Sequence, residues 1–253
     1  MKAVILAAGV ASRLRPLTNN TPKCLLNVGE KNILELTIEN LLSNNFREIV
    51  IVTGYLENQI KDFILKRFPD LNINYIYNKS YASTNNIYSL WLVKEAVLGD
   101  DMLMMDSDIV FDKNIISKLI NSGFENCLAL KRHDLTEEEI KVKIDANGRV
   151  LKIGKEVNPQ EAAGESIGIE VFGKETLSVL FQILDRKIVA EKKVNQFYET
   201  SFEELVNTGH DLKIIDCTDF FCMEIDTESD LKTAELLLSN NLSQKNRTRS
   251  QKD

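Results

Sequence analysis

Four short apolar runs, KAVILAAG (2–9), EIVIVTGY (48–55), NINYIYN (72–78) and DMLMMDSDIV (101–110), alternate with stretches of helical periodicity through the first half of the chain. The first two, apolar and β-branched, suit strands buried on both faces, and the other two are strand candidates. Ile33, Leu34, Leu36, Ile38, Leu41 and Leu42 mark one intervening helical face, and Ile60, Phe63, Ile64 and Phe68 mark a second. A third helix is predicted over roughly 86–98. Strands that alternate with helices require right-handed crossovers and a mostly parallel sheet. The predicted class is therefore α/β, a Rossmann-like central sheet with helices on both faces.

After residue 125 the rhythm changes. CLALKRHD, IKVKID, RVLKIG and ESIGIEVF read as strands with few helices between them, and Asn147-Gly148 is a hairpin turn signal. A long helix near 174–191, a shorter one near 199–208, the strand DLKIID and the segment FCMEID follow. Thr227-Glu228-Ser229-Asp230 reads as a capping sequence before an apolar stripe ending in Leu236–Leu238. No Pro/Gly-rich linker or internal repeat interrupts the chain. One domain over 1–239 is expected, with halves 1–125 and 126–239, the second adding a small mixed-sheet subregion. Residues 240–253 read as a flexible basic tail.

Charge and composition bound the partners. The tail carries four basic groups and one acid, which leaves 27 basic and 37 acidic residues on 1–239. So acidic a body is a poor nucleic-acid binder, because duplex affinity rests on cations that neutralise phosphates. No run reaches the ~18 apolar residues of a membrane span. Cys24, Cys127, Cys217 and Cys222 show neither metal nor redox spacing and form no disulfide framework. A reduced, cytoplasmic protein is expected. The assembly state is open, a homo-oligomer included.

The strongest chemical signal follows the first strand: Leu6-Ala7-Ala8-Gly9-Val10-Ala11-Ser12-Arg13-Leu14-Arg15-Pro16-Leu17-Thr18, then Thr21-Pro22-Lys23. Ligands of open α/β sheets sit after such strands. Small residues let backbone N–H groups approach phosphate oxygens, and Arg13 and Lys23 add positive charge. The Gly-Lys-Ser/Thr ending of a P-loop and the triple glycine of a dinucleotide fingerprint are both missing.

This segment resembles the signature of the sugar-phosphate and choline-phosphate nucleotidyltransferases, Leu-Ala-Ala-Gly-x-Gly-x-Arg-Leu-x-Pro-Leu-Thr followed by Pro-Lys. Ala11 stands where the family usually has glycine, and alanine fits if its φ is negative. The resemblance implies a loop, Leu6 to Arg13, wrapped around a nucleoside triphosphate. Ala8 and Gly9 would line base and ribose, and Arg13 would hold the β- and γ-phosphates. Lys23 would bridge the α-phosphate and the acceptor phosphate, as a loop cation of little consequence for stability. Cys24 reads as a small filler.

Asp106-Ser107-Asp108 ends an apolar strand, where carboxylates at i and i+2 share a side and suit a hard divalent cation. The resemblance assigns the metal carboxylates to Asp108 and to Asp226 of Glu224-Ile225-Asp226, with Mg²⁺ as cofactor and Asp106 either supporting the metal ligands from behind or beside the ribose. Asp226 also has a plain alternative as a helix cap. Thr84-Asn85-Asn86-Ile87-Tyr88-Ser89 can cap a helix. It also resembles the Asn-Asn-Ile-Tyr-Ser stretch of phosphocholine-type cytidylyltransferases, which implies CTP as donor.

The acceptor half is less telling. A quaternary ammonium is best held by an aromatic cage, yet Trp91 is the one tryptophan and Ile140 stands near the family's cage position. Lys131, Lys143, Glu165 and Glu199, with Arg132, are charged groups able to grip a zwitterion. Length and N-terminal half resemble the cytidylyltransferase of bacterial capsule phosphoramidate synthesis, which implies L-glutamine phosphate as acceptor. Phosphocholine or a sugar 1-phosphate is the alternative. His133 and His210 have no partner at suggestive spacing and read as incidental. A metal-dependent glycosyltransferase using Asp106-Ser107-Asp108 leaves Arg13 and Lys23 unexplained, and a non-catalytic subunit on this fold would lack them.

Overall fold

The computed structural model describes residues 1–249, with side chains through Ser239. The first half supplies β1 (Lys2–Ala7), the short ribbon β2 (Asn27–Val28) and β3 (Lys31–Asn32), α1 (Ile33–Ser43), β4 (Ile49–Thr53), α2 (Glu57–Arg67) and β5 (Ile73–Tyr77). It continues with α3 (Asn86–Leu92), α4 (Lys94–Val97), β6 (Met102–Asp106), β7 (Ile109–Phe111) and α5 (Asn114–Ile120). The second half adds β8 (Cys127–Lys131), β9 (Lys141–Ile144), β10 (Val150–Gly154), β11 (Gly164–Phe172), α6 (Lys174–Asp185) and α7 (Glu199–Asn207). It closes with β12 (Lys213–Asp216), β13 (Cys222–Glu224) and α8 (Glu228–Arg249).

The central sheet runs β10-β9-β11-β6-β1-β4-β5, with β8 branching from β11 and β12 paired to β8. Strands β6, β1, β4 and β5 are parallel, and β11 pairs antiparallel with β6, β8 and β9. This is the expected Rossmann-like sheet carrying a mixed extension. The central strand β1 is apolar on both sides for a visible reason. Val4 and Leu6 of β1 pack with α3, α6 and α7 on one face, while Ala3 and Ile5 pack with α1, α2 and α5 on the other.

Helix starts follow local chemistry. The Asn32 side chain accepts the Glu35 N–H at 2.8 Å and caps α1. At α8 the Thr227 hydroxyl accepts the Asp230 N–H, and the Asp230 carboxylate accepts those of Asp226 and Thr227, a reciprocal cap. The apolar stripe of α8 is Leu231, Ala234 and Leu238, packed near Leu14 and Leu26, whereas Leu236 and Leu237 are exposed. The backbone of α8 continues into the segment read as a tail. Its side chains from 240 on, and residues 250–253, lie outside those described.

One strand expectation and one helix expectation change. DMLMMDSDIV is not one strand: β6 stops at Asp106, the chain turns at Ser107-Asp108, and β7 begins at Ile109. The i, i+2 geometry therefore does not apply to Asp106 and Asp108. The helix near 174–191 loosens into a π-helical turn over Arg186–Ala190. All four cysteines are unpaired and buried. No helix among the described residues is long and apolar enough to cross a membrane.

Candidate active site

A cleft of about 1080 Å³ opens at the carboxyl ends of β1 and β6, where open α/β sheets bind ligands. Leu6, Ala7, Ala8, Gly9, Ala11 and Arg13 line its first wall. Val10 and Ser12, on either side of Ala11, do not. Ala11 adopts φ 51°, ψ 52°, so the negative φ that alanine needed there is not what the fold uses. A left-handed residue with a Cβ costs roughly 1–2 kcal/mol, which is why glycine suits this turn. The loop is held from outside. The Thr18 hydroxyl donates to the Ala11 carbonyl at 2.9 Å, and the Tyr55 hydroxyl lies 3.0 and 2.7 Å from the carbonyls of Thr18 and Asn19. Gly54 passes so close to Ala8 that a Cβ on it would meet the Ala8 carbonyl at 2.6 Å.

Lys23 enters from this loop and is only 11% exposed. Its ammonium lies 2.6 Å from Asp108 Oδ2 and 2.8 Å from Asp226 Oδ1, while Arg13 Nη2 lies 2.7 Å from Asp226 Oδ2. Burial opposes the charge of Lys23, but Asp108 and Asp226 outweigh it and hold its pKa above the ordinary value. Burial likewise opposes ionisation of Asp226, and Lys23 and Arg13 overcome it, lowering its pKa. The capping role belongs to Thr227, so the Asp226 carboxylate is free for this cluster. Cys24 is buried and its thiol is pushed up to about 12, chiefly by burial, as befits a filler and not a nucleophile.

Asp108 and Asp226 are united by a small ribbon. β7 pairs antiparallel with β13, Glu224 opposite Ile109, and the Ile225 N–H donates to the Asp108 carbonyl at 2.9 Å. The same ribbon brings in Glu224, a carboxylate the sequence reading did not select. One oxygen each from Asp108, Glu224 and Asp226 lie within 4.8 Å of one another. Withdrawal from bulk water, then the charges of Asp108 and Asp226, push Glu224 up to about 8. Three converging carboxylate oxygens are the hard donors that suit a divalent cation.

Asp106 has a different setting. Its Oδ2 accepts the Tyr198 hydroxyl at 2.8 Å, and burial followed by Asp108 and Glu199 raises its pKa well above normal. Gly168, at φ 68°, makes room here, since a Cβ on it would meet Asp106 Oδ2 at 2.9 Å. Thr84, Asn85 and Asn86 also line the cleft.

Of the residues expected to meet the acceptor, Lys131, Glu165 and Glu199 line the cleft, with Ile140 beside them. Lys131 donates to the Cys222 carbonyl at 2.8 Å. Glu165 lies 2.7 Å from His133 Nε2, so His133, read as incidental, stands in the cleft. Burial opposes its protonation, and Glu165 more than offsets that, raising its pKa. Glu199 is 6% exposed and burial pushes it up to about 7. Behind it lies Glu170, fully buried, whose pKa burial also raises. One oxygen of each, Glu199 Oε2 and Glu170 Oε2, has no hydrogen-bond partner among the described residues.

Lys143 is not at this site. The cleft meets the start of β9, and Lys143, two residues along toward the Asn147-Gly148 hairpin, pairs at 2.5 Å with Glu161 on an exposed face. Arg132 is similarly held by Asp216 at 2.7 Å, and Trp91 donates to Asp185 at 2.8 Å, outside the cleft.

Comparison with known proteins places the chain in a family. The family profile described as nucleotidyl transferase matches residues 2–153. The chain is 31% identical over 252 residues to the CTP:phosphoglutamine cytidylyltransferase of Campylobacter jejuni, covering 92% of this chain and 98% of that one. It is 29% identical over 241 residues to the choline-phosphate cytidylyltransferase of Streptococcus pneumoniae, covering 95% and 99%. The solved structure of the CTP:phosphocholine cytidylyltransferase from Streptococcus pneumoniae superposes with a TM-score of 0.80 at 27% identity, over 94% of this chain and 98% of that one.

Proposed function

The chain belongs to the nucleotidyl transferase family, and from that premise we propose that it is a cytidylyltransferase, passing CMP from CTP to a small phosphorylated acceptor and releasing pyrophosphate. The observation that carries this reading is the Lys23 ammonium between Asp108 and Asp226, with Arg13 on the second oxygen of Asp226. CTP as donor is supported by Asn85-Asn86-Ile87-Tyr88-Ser89 and by the activities named for the two relatives.

In this reading an oxygen of the acceptor phosphate attacks the α-phosphorus of CTP in line with the bond to the β-phosphate. That bond breaks and its electron pair leaves with pyrophosphate. No general base is needed, because the attacking oxygen belongs to a phosphoryl group that is already anionic at neutral pH. The barrier lies in bringing two anions together. Arg13 holds the departing phosphates, and Lys23 spans the α-phosphate and the acceptor phosphate, so both cations act where charge develops. Asp108, Glu224 and Asp226 would hold a divalent cation such as Mg²⁺, which when bound supplies Lewis-acid neutralisation of phosphate charge.

For the acceptor we favour an amino-acid phosphate, L-glutamine phosphate, over phosphocholine. Glu199 lines the cleft, and its Oε2, without a hydrogen-bond partner among the described residues, wants N–H donors. A primary ammonium offers them and a quaternary one does not. With CTP, L-glutamine phosphate is expected to exceed phosphocholine at least about tenfold in kcat/KM, the size of one charge-assisted hydrogen bond. Because Glu199 titrates near 7, acceptor KM should fall as pH rises from 6 to 8 and the carboxylate forms. Glu199→Gln should raise that KM and flatten its pH dependence. Steady-state kinetics over an acceptor panel that includes sugar 1-phosphates checks this. A preference for phosphocholine overturns the acceptor assignment and leaves cytidylyl transfer standing.

A further inference from the structure

Residues 191–198 cross from the π-helical turn to α7 without regular secondary structure, and they deliver Phe197 and Glu199 to the acceptor side of the cleft. A segment with so few internal bonds must be shaped by what it leans on. It leans on the start of α3. The Asn85 N–H donates to the Val194 carbonyl at 3.0 Å, and the Asn86 side-chain carbonyl accepts the Tyr198 N–H at 2.9 Å. Tyr198 is fully buried and its hydroxyl is tied to Asp106. At the far side, the Lys187 ammonium donates to the carbonyl and hydroxyl of Thr200 at 3.0 and 3.2 Å.

The polar side chains of the Thr84-Asn85-Asn86 cluster are thus largely engaged within the protein. The Thr84 hydroxyl donates to the Ser80 carbonyl and accepts from Asn78, and Asn85 Oδ1 accepts the Asn86 N–H. Asn86 is the member whose side chain reaches across to the other half of the molecule, 112 residues away in sequence.

We infer that Asn86 is a positioning residue for acceptor recognition: its side-chain carbonyl hangs the 194–199 segment on the nucleotide-binding half and thereby aims Glu199. The kinetic part of this inference rests on the cytidylyltransferase reading, and the structural part does not. Asn86→Ala removes the acceptor of the Tyr198 N–H. Asn86→Asp keeps an oxygen in the same place and is the conservative rescue.

Two measurements on the full chain test it. In hydrogen exchange, the Tyr198 amide of Asn86→Ala should lose about tenfold of its protection, as befits one lost hydrogen bond, while Asn86→Asp stays near wild type. In kinetics, Asn86→Ala should raise acceptor KM by about tenfold, more than it raises the CTP dissociation constant read by calorimetry without acceptor, and Asn86→Asp should recover the acceptor KM. Unchanged protection of Tyr198 in Asn86→Ala overturns the inference. So does a loss of CTP binding at constant acceptor KM, which would make Asn86 a reader of the base. If the wild-type protein transfers no cytidylyl group, the cytidylyltransferase reading fails and the exchange result still decides the role of Asn86.

Discussion

Lys23→Ala is expected to lower turnover by about 10²–10³-fold, the usual loss for one well-placed electrostatic stabiliser. Lys23 is the cation with the least exposure in the cluster, 11%, and it faces two carboxylates at 2.6 and 2.8 Å. Removing it takes away charge where two anionic reactants must meet. It also leaves Asp108 and Asp226 opposed without their shared partner. The variant should therefore lose stability in the absence of divalent cation, by about 1–3 kcal/mol, less than for a fully buried pair because both carboxylates keep contact with water. This differs from the expectation of a stability-neutral loop cation, and the reason is that the loop folds Lys23 inward. Mg²⁺ should return much of the lost stability by taking over the neutralisation. Pyrophosphate-release assays and denaturation with chelator or Mg²⁺ measure both effects. Turnover near wild type would remove Lys23 from the chemistry.

Asp108→Asn and Asp226→Asn should each lower activity by about 10²-fold or more, and the double variant should lose little beyond either single one. Groups that serve one bound cation act as a unit and their losses do not add. Mg²⁺ demands near-octahedral oxygen coordination, so one missing carboxylate already spoils the shell. Glu224, within 4.8 Å of both, should share the pattern in Glu224→Gln. Asp106→Asn should be milder, since its carboxylate is engaged by Tyr198 instead. The discriminating readout is the concentration of Mg²⁺ at half-maximal rate, which should rise in the three ligand variants. An Asp226→Asn enzyme with unchanged Mg²⁺ dependence would limit Asp226 to its ion pairs with Lys23 and Arg13.

The parallel half of the sheet was legible because its signals are local. β1, β4, β5 and β6 are short apolar runs, and the helices between them show a periodic face. The motif from Leu6 to Lys23 pointed to the cleft for the same reason: small residues, then cations, directly after a strand. Asp226 was found only through resemblance, and its union with Asp108 depends on the β7–β13 ribbon, a pairing between segments more than a hundred residues apart. Glu224 was overlooked because a carboxylate on a three-residue strand carries no local sign of its partners. Lys143 was misplaced because charge alone does not say which end of β9 meets the cleft. His133 looked solitary in sequence and gains its meaning from Glu165, 32 residues on. The left-handed Ala11 shows the opposite case, a departure from the glycine pattern that the backbone accommodates unchanged, at an energetic cost.

Pyrophosphate release by the wild-type protein, measured with Mg²⁺ and L-glutamine phosphate against each of the four nucleoside triphosphates, tests cytidylyl transfer most directly. The expected result is release with CTP at a rate at least about tenfold above the other three, matched mole for mole by a CMP-linked product, a ratio within reach of base-specific hydrogen bonding. Folded protein that releases no pyrophosphate with any nucleotide, there or across the phosphorylated acceptor panel, would contradict it.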